Sequence, residues 1–210
     1  MVFQQSPHEA NWELQSRRSG TPHSNPMIDA PSVLPGLPER LQAWREWYFH
    51  FAPVRTGPAE RSPLRNVVAK LDPTGANLAQ ALLYHQSRSS DQWRNSTEIL
   101  NAIIPNAGQV QARAGGDEIE IMLQDPSTGA ALNLKRLGTG VEQVLMLAYV
   151  GATQPVWSVV VTEEPESGLH PGAQSRLLEH LLEWARTRLL VVSAWIHRVV
   201  RGCRPVREVV

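Results

Sequence analysis

The chain has 210 residues, 42% of them hydrophobic, enough to bury one substantial core. Its 20 Lys and Arg balance its 20 Asp and Glu, so no net field recruits nucleic acid or an anionic membrane, and such a partner would need a local patch. The single cysteine, Cys203, excludes an intrachain disulfide framework and a cysteine zinc cluster, and no apolar run is long enough to span a bilayer, so a cytoplasmic protein is expected.

Residues 1–16 lack the charged-then-apolar pattern of a signal peptide, and prolines at 7, 22, 26, 31 and 35 predict a mostly irregular leader over 1–36. The main domain is expected over 37–197, opening with a short helix through Leu41, Trp44 and Trp47 that runs into an extended aromatic stretch at 47–51. Helices are predicted over 75–87 and about 91–104, the second stopped by Pro105. Strands at 110–114, 118–123 and 130–134, separated by Gly115-Gly116 and by the turn residues 126–129, form an antiparallel meander. The pattern then changes to helix 140–150, strand 156–162, helix 172–186 and strand 188–193, an alternation that predicts an α/β fold with a parallel layer and covering helices. Trp44, Trp47, Trp93, Trp157 and Trp184 fall at helix or strand positions and are expected in the core.

The chemistry concentrates where the apolar run 156–161 ends in Thr162, Glu163, Glu164, Pro165 and Glu166. Ligands of open α/β sheets sit at the carboxyl ends of strands, so these acids emerge where a ligand would bind. Phosphoryl transfer needs one carboxylate for Mg²⁺ and another to orient and deprotonate the attacking water, which makes Glu163 the metal acid and Glu164 the general base. A buried strand ending in a solvated acidic turn is the alternative, and Glu166 suits either a supporting or a solvated role. Upstream, Gly138, Thr139 and Gly140 open a helix. Their backbone N–H groups and hydroxyl can face an anion, with about half a positive charge of helix dipole behind them. His170, His180 and His197 form no metal-ligand pair, and His170 and His180 are expected in a turn and on a helix surface. Ser167 lies in no nucleophile elbow.

The string Leu137-Gly138-Thr139-Gly140-Val141-Glu142-Gln143 resembles the signature motif of ABC-type ATPases, and residues 159–171 resemble their Walker B strand and D-loop. The Glu-Glu-Pro-Glu run followed by Leu169-His170-Pro171 is most similar to the SMC-like and RecF-like AAA proteins, including the OLD group. Residues 72–83 are similar to the start of that family's helical lobe. The resemblance covers about 44–193 and implies the C-terminal part of a P-loop NTPase head that uses ATP and Mg²⁺. It also implies a head-to-tail dimer in which Gly138, Thr139, Gly140, Val141 and Glu142 reach the nucleotide held by the other head. A closed two-fold arrangement of this kind buries the nucleotide between the heads.

Two departures limit what the resemblance implies. No G-x-x-x-x-G-K-[ST] string occurs, and the only lysines, Lys70 and Lys135, follow no glycine loop. The chain is therefore expected to depend on a partner for its phosphate loop, whether a second self-type head or the other half of a split gene. The alternative is a non-enzymatic interaction module or an inactive remnant. After the last strand, Trp195 stands where the family places a switch histidine, and residues 198–210 read as an aberrant Arg- and Val-rich tail. Any contact with DNA is expected through a larger complex, and no membrane is expected.

Overall fold

The computed structural model describes residues 2–5, 12–15, 46–52, 54–88, 90–125 and 127–193. The chain divides into a unit at 1–40 and a unit at 41–210. In the first, β1 (Val2–Gln5) pairs antiparallel with β2 (Trp12–Gln15), Val2 opposite Gln15. This strand pair departs from the irregular reading of the leader, and it uses two stretches that contain no proline. Residues 37–45 of the expected first helix lie outside the described residues, as do Trp195, His197 and the tail.

The second unit holds two sheets. The parallel one has the order β3-β8-β9, from β3 (Tyr48–His50), β8 (Val159–Glu163) and β9 (Leu189–Ser193). The antiparallel one is centred on β6 (Glu118–Gln124), with β5 (Gln109–Gly115) along one edge. The other edge is shared by β4 (Ser62–Pro63) and β7 (Ala131–Asn133). Ile119, Ile121 and Leu123 of β6 are buried on one face, as their two-residue spacing predicts.

Four helices are described, α1 (Leu78–Ser87), α2 (Asp91–Ile103), α3 (Thr139–Thr153) and α4 (Pro171–Trp184). In α3, residues 144–151 are all buried, because a helix that is apolar all round must be enclosed rather than lie on a surface. It packs along α2 and supports the core formed by Leu82, Leu100, Ile103, Val110 and Leu145. The phenol of Tyr149 donates to the carbonyl of Ala69, which satisfies a buried hydroxyl. Burial raises the pKa of Tyr149.

Gly151, near the end of α3, lies against Trp184 at the end of α4. A Cβ there would stand 1.9 Å from Trp184 Cζ2. Gly151→Ala is expected to cost about 1–3 kcal/mol by overpacking. Urea denaturation measures it, and an unchanged midpoint would mean that the helix ends separate freely.

His85 on α1 sits between Tyr84 and Tyr149, with Nδ1 3.1 Å from Ser90 Oγ. Burial, and then Arg88, push its pKa below the ordinary 6.5. His180 is lowered by burial against the opposing pull of Glu183. A base whose folded pKa is depressed contributes stability that is full above its unfolded pKa and is lost as pH falls toward the folded one. The protein is therefore expected to lose stability as pH falls below the ordinary histidine value of 6.5, and His85→Gln to lose less over the same fall. Parallel denaturation curves would contradict this.

Two tryptophans depart from the core expectation. Trp47 is 52% and Trp157 78% exposed, whereas Trp184 is buried and Trp93 packs partly against the core. β8 also begins at Val159 rather than 156. Trp157 adopts a φ of 71°, its N–H donates to Thr187 O at 2.7 Å, and the lead-in stays outside the strand. Trp44 lies outside the described residues. Among the described residues no helix is long and apolar enough to cross a membrane.

Candidate functional site

Strand β8 lies between parallel β3 and β9, with Val160 and Thr162 buried on one face and Val159, Val161 and Glu163 half-buried on the other. Glu163 ends the strand, half-buried, and Glu164 follows, exposed, with a φ of 44°. A left-handed non-glycine residue is unfavourable by about 1–2 kcal/mol and persists only when its surroundings hold it. Here the Glu164 N–H donates to Ser193 O at 2.6 Å, and the Glu164 carbonyl accepts from Ser167 N–H at 3.1 Å. Glu166 is buried at 7% exposure, which removes the reading of it as a solvated turn carboxylate.

Arg55, in the loop after β3, supplies the cation of the site. One guanidinium nitrogen donates to Thr162 Oγ1 at 3.0 Å, and the other to the carbonyls of Glu163 at 2.8 Å and Glu164 at 3.2 Å and to Gln143 Oε1 at 3.4 Å. Burial pulls its pKa below the ordinary arginine range, while Glu163, Glu164 and Glu166 pull it upward. Arg55, Gln143, Glu163, Glu164 and Ser167 line a cavity of about 200 Å³. Sequence reasoning missed Arg55. Its partners Thr162 and Glu163 lie more than a hundred positions along the chain, so no local pattern marks it.

The glycine string places its residues in two directions. Gly138 caps α3 with a φ of 94°, Thr139 is exposed, Gly140 is buried and Val141 is half-buried. The side chain of Glu142 turns inward, 6% exposed, with Oε2 2.8 Å from Lys135 Nζ. Lys135 lies in a 3-10 turn, Leu134–Arg136, whose cap Asn133 accepts from the Lys135 N–H at 3.0 Å. The turn at Gly138–Gly140 meets the turn after β8 at a pair of glycines, Gly140 and Gly168. A Cβ on Gly140 would be 2.6 Å from Gly168 O, and one on Gly168 would be 3.3 Å from Thr139 Oγ1. Gly140 needs glycine because the Gly168 carbonyl occupies the space of a side chain, and Gly168 needs it because its φ is 74°. His170 is the N-cap of α4, its Nδ1 accepting from Gly172 N–H at 3.2 Å, and His180 is half-buried, its ring against Trp184.

The acids, the glycine turn that opens α3 and the turn after β8 thus meet at the carboxyl end of β8. Among the described residues no group of three or more His, Cys, Asp or Glu is arranged to hold a metal alone. Mg²⁺ in phosphoryl-transfer sites takes one or two carboxylates and completes its shell with water and phosphate oxygens, a share that the half-buried Glu163 alone could supply.

No protein-family model matches the chain, and no curated protein does. Among solved structures it is similar to an SMC head bound to the C-winged helix domain of ScpA, at 15% identity over 56% of this chain and 37% of that one, TM-score 0.42. It is similar also to an SMC ATPase of ATP-driven dimerization, at 18% identity over 54% of this chain and 71% of that one, TM-score 0.42. A third is an ATP-binding cassette of an ABC transporter, at 15% identity over 75% of this chain and 54% of that one, TM-score 0.41. The chain spans less than two thirds of the first and third of these.

Proposed function

We propose that this chain is one half of a composite ATPase site, binding ATP with Mg²⁺ and completing hydrolysis on a phosphate loop supplied by a partner head. The observation that carries the reading is the contact of Gly140 with Gly168, which joins the signature turn and the D-loop-like turn beside the paired acids. Thr139, with the first N–H groups of α3 at Gly140 and Val141, faces the γ-phosphate held by the partner. The side chain of Glu142 is engaged with Lys135, so its part is to fix the start of α3 rather than to touch nucleotide.

At the chain's own strand end, Glu163 would hold Mg²⁺ directly or through its water, and the ion would supply charge neutralisation for the phosphates. Glu164 accepts a proton from the attacking water as its oxygen bonds to the γ-phosphorus and the bond from that phosphorus to the β-phosphate oxygen breaks, releasing ADP. Its backbone is held in a strained turn, which limits the positions its carboxylate can take. The partner binds head to tail, and DNA, if present, is engaged by the larger assembly.

Titrating the purified chain into a phosphate-loop-bearing head of the same group tests the reading. ATP hydrolysis is expected to rise with added chain and to saturate. A rate equal to that of the partner alone at every ratio would reject it. Binding that persists without nucleotide and ignores Glu164→Gln would favour an interaction module instead.

A further inference from the structure

We infer that Arg55 is a positioning residue that holds the acidic turn and ties it to the helix carrying the glycine signature. What the turn does rests on the ATPase reading, but where Arg55 acts does not.

The guanidinium is first placed over an aromatic ring. The Arg55 guanidinium carbon lies 5.7 Å from the ring centroid of Phe51, a fully buried residue next to β3. From there the planar fork reaches three segments far apart in sequence. It bridges the successive carbonyls of Glu163 and Glu164, where the chain turns left-handed, and it reaches the hydroxyl of buried Thr162. It also touches Gln143 on α3, one helical turn beyond Thr139 and on the same face.

These acceptors are carbonyls, a hydroxyl and an amide, not the carboxylates of Glu163 and Glu164. The guanidinium therefore fixes the backbone that presents the acids without occupying the oxygens that a metal or a water would use. A carboxylate pair with Arg55 would neutralise those oxygens instead. A lysine could not substitute, because a single ammonium lacks the rigid fork that spans two carbonyls and an amide together. The tie to Gln143 has a consequence. A shift at the start of α3, the part proposed to meet the partner's nucleotide, moves the same side chain that holds this chain's own acids.

Amide hydrogen exchange on the full chain, without nucleotide or partner, tests the inference. Arg55→Gln is expected to speed exchange at the Glu164 and Ser167 amides by about tenfold or more while the β5–β6 hairpin keeps its protection. Arg55→Lys, which keeps the charge and most of the stem, is expected to speed exchange at the same two amides and so fail to rescue. Gln143→Ala is expected to quicken Ser167 by a smaller factor, through Arg55. Wild-type protection of the turn in Arg55→Lys would overturn the proposal, as would a rise spread equally over the hairpin. Should Arg55→Gln not fold, the Arg55→Lys and Gln143→Ala results still decide it. Because no nucleotide is present, a composite ATPase assay that fails leaves this result standing, and the reverse also holds.

Discussion

Glu164→Gln is expected to lower ATP turnover by this chain with a phosphate-loop-bearing head by about 10²–10⁴-fold, the usual range for loss of a general base. The substitution keeps the shape of the side chain and removes only its capacity to take a proton. Glu164 is exposed, and the turn around it is held by its backbone, through Ser193 O, Ser167 N–H and Arg55. A surface change of this kind is expected to leave stability within about 0.5 kcal/mol. Nucleotide-dependent association should therefore survive and even persist longer, since ATP trapped between heads is not consumed. Single-turnover hydrolysis with a matched association measurement separates the two effects. Equal loss of association and turnover would mean that Glu164 shapes the interface rather than the reaction. No change in either would remove it from the site.

The regular parts of this fold were legible because their signals are local. Ile119, Ile121 and Leu123 alternate, and β6 follows within a residue of the reading. Pro105 and the apolar spacing before it place the end of α2 to within one position. The strand carrying the acids was found but begun three residues early, since Val156, Trp157 and Ser158 have the composition of a strand. The left-handed φ of Trp157 depends on a bond to Thr187, thirty positions away, which no local pattern contains. The same reason hid Arg55, whose partners Thr162 and Glu163 lie more than a hundred positions along the chain. Glu142 was read as a nucleotide contact because its string resembles a signature. Only its direction on α3, toward Lys135, separates a packing carboxylate from a ligand. Sequence located the motifs; the polar contacts that orient them belong to the tertiary fold.

Lys135→Met is expected to destabilise the protein by about 2–4 kcal/mol, close to the range for removing one partner of a buried ion pair and reduced because the lysine is partly exposed. Glu142 would be left as a carboxylate with 6% exposure and its 2.8 Å partner gone. The space around it cannot relax easily, since a single carbon added at Gly57 would already stand 2.7 Å from Glu142 Oε2. For a chain of this size the loss corresponds to a fall of roughly 5–15 °C in Tm. The double variant Lys135→Met with Glu142→Leu should recover most of the loss, because an apolar pair of similar volume needs no counter-charge. A double-mutant cycle by urea denaturation gives the coupling directly. Additive effects would show that water screens the pair. A large coupling would show that the start of α3 is held by the ion pair and not by its glycines alone. In that case Lys135→Met should also weaken nucleotide-dependent association while Glu164→Gln does not, since only the former loosens the turn that meets the partner.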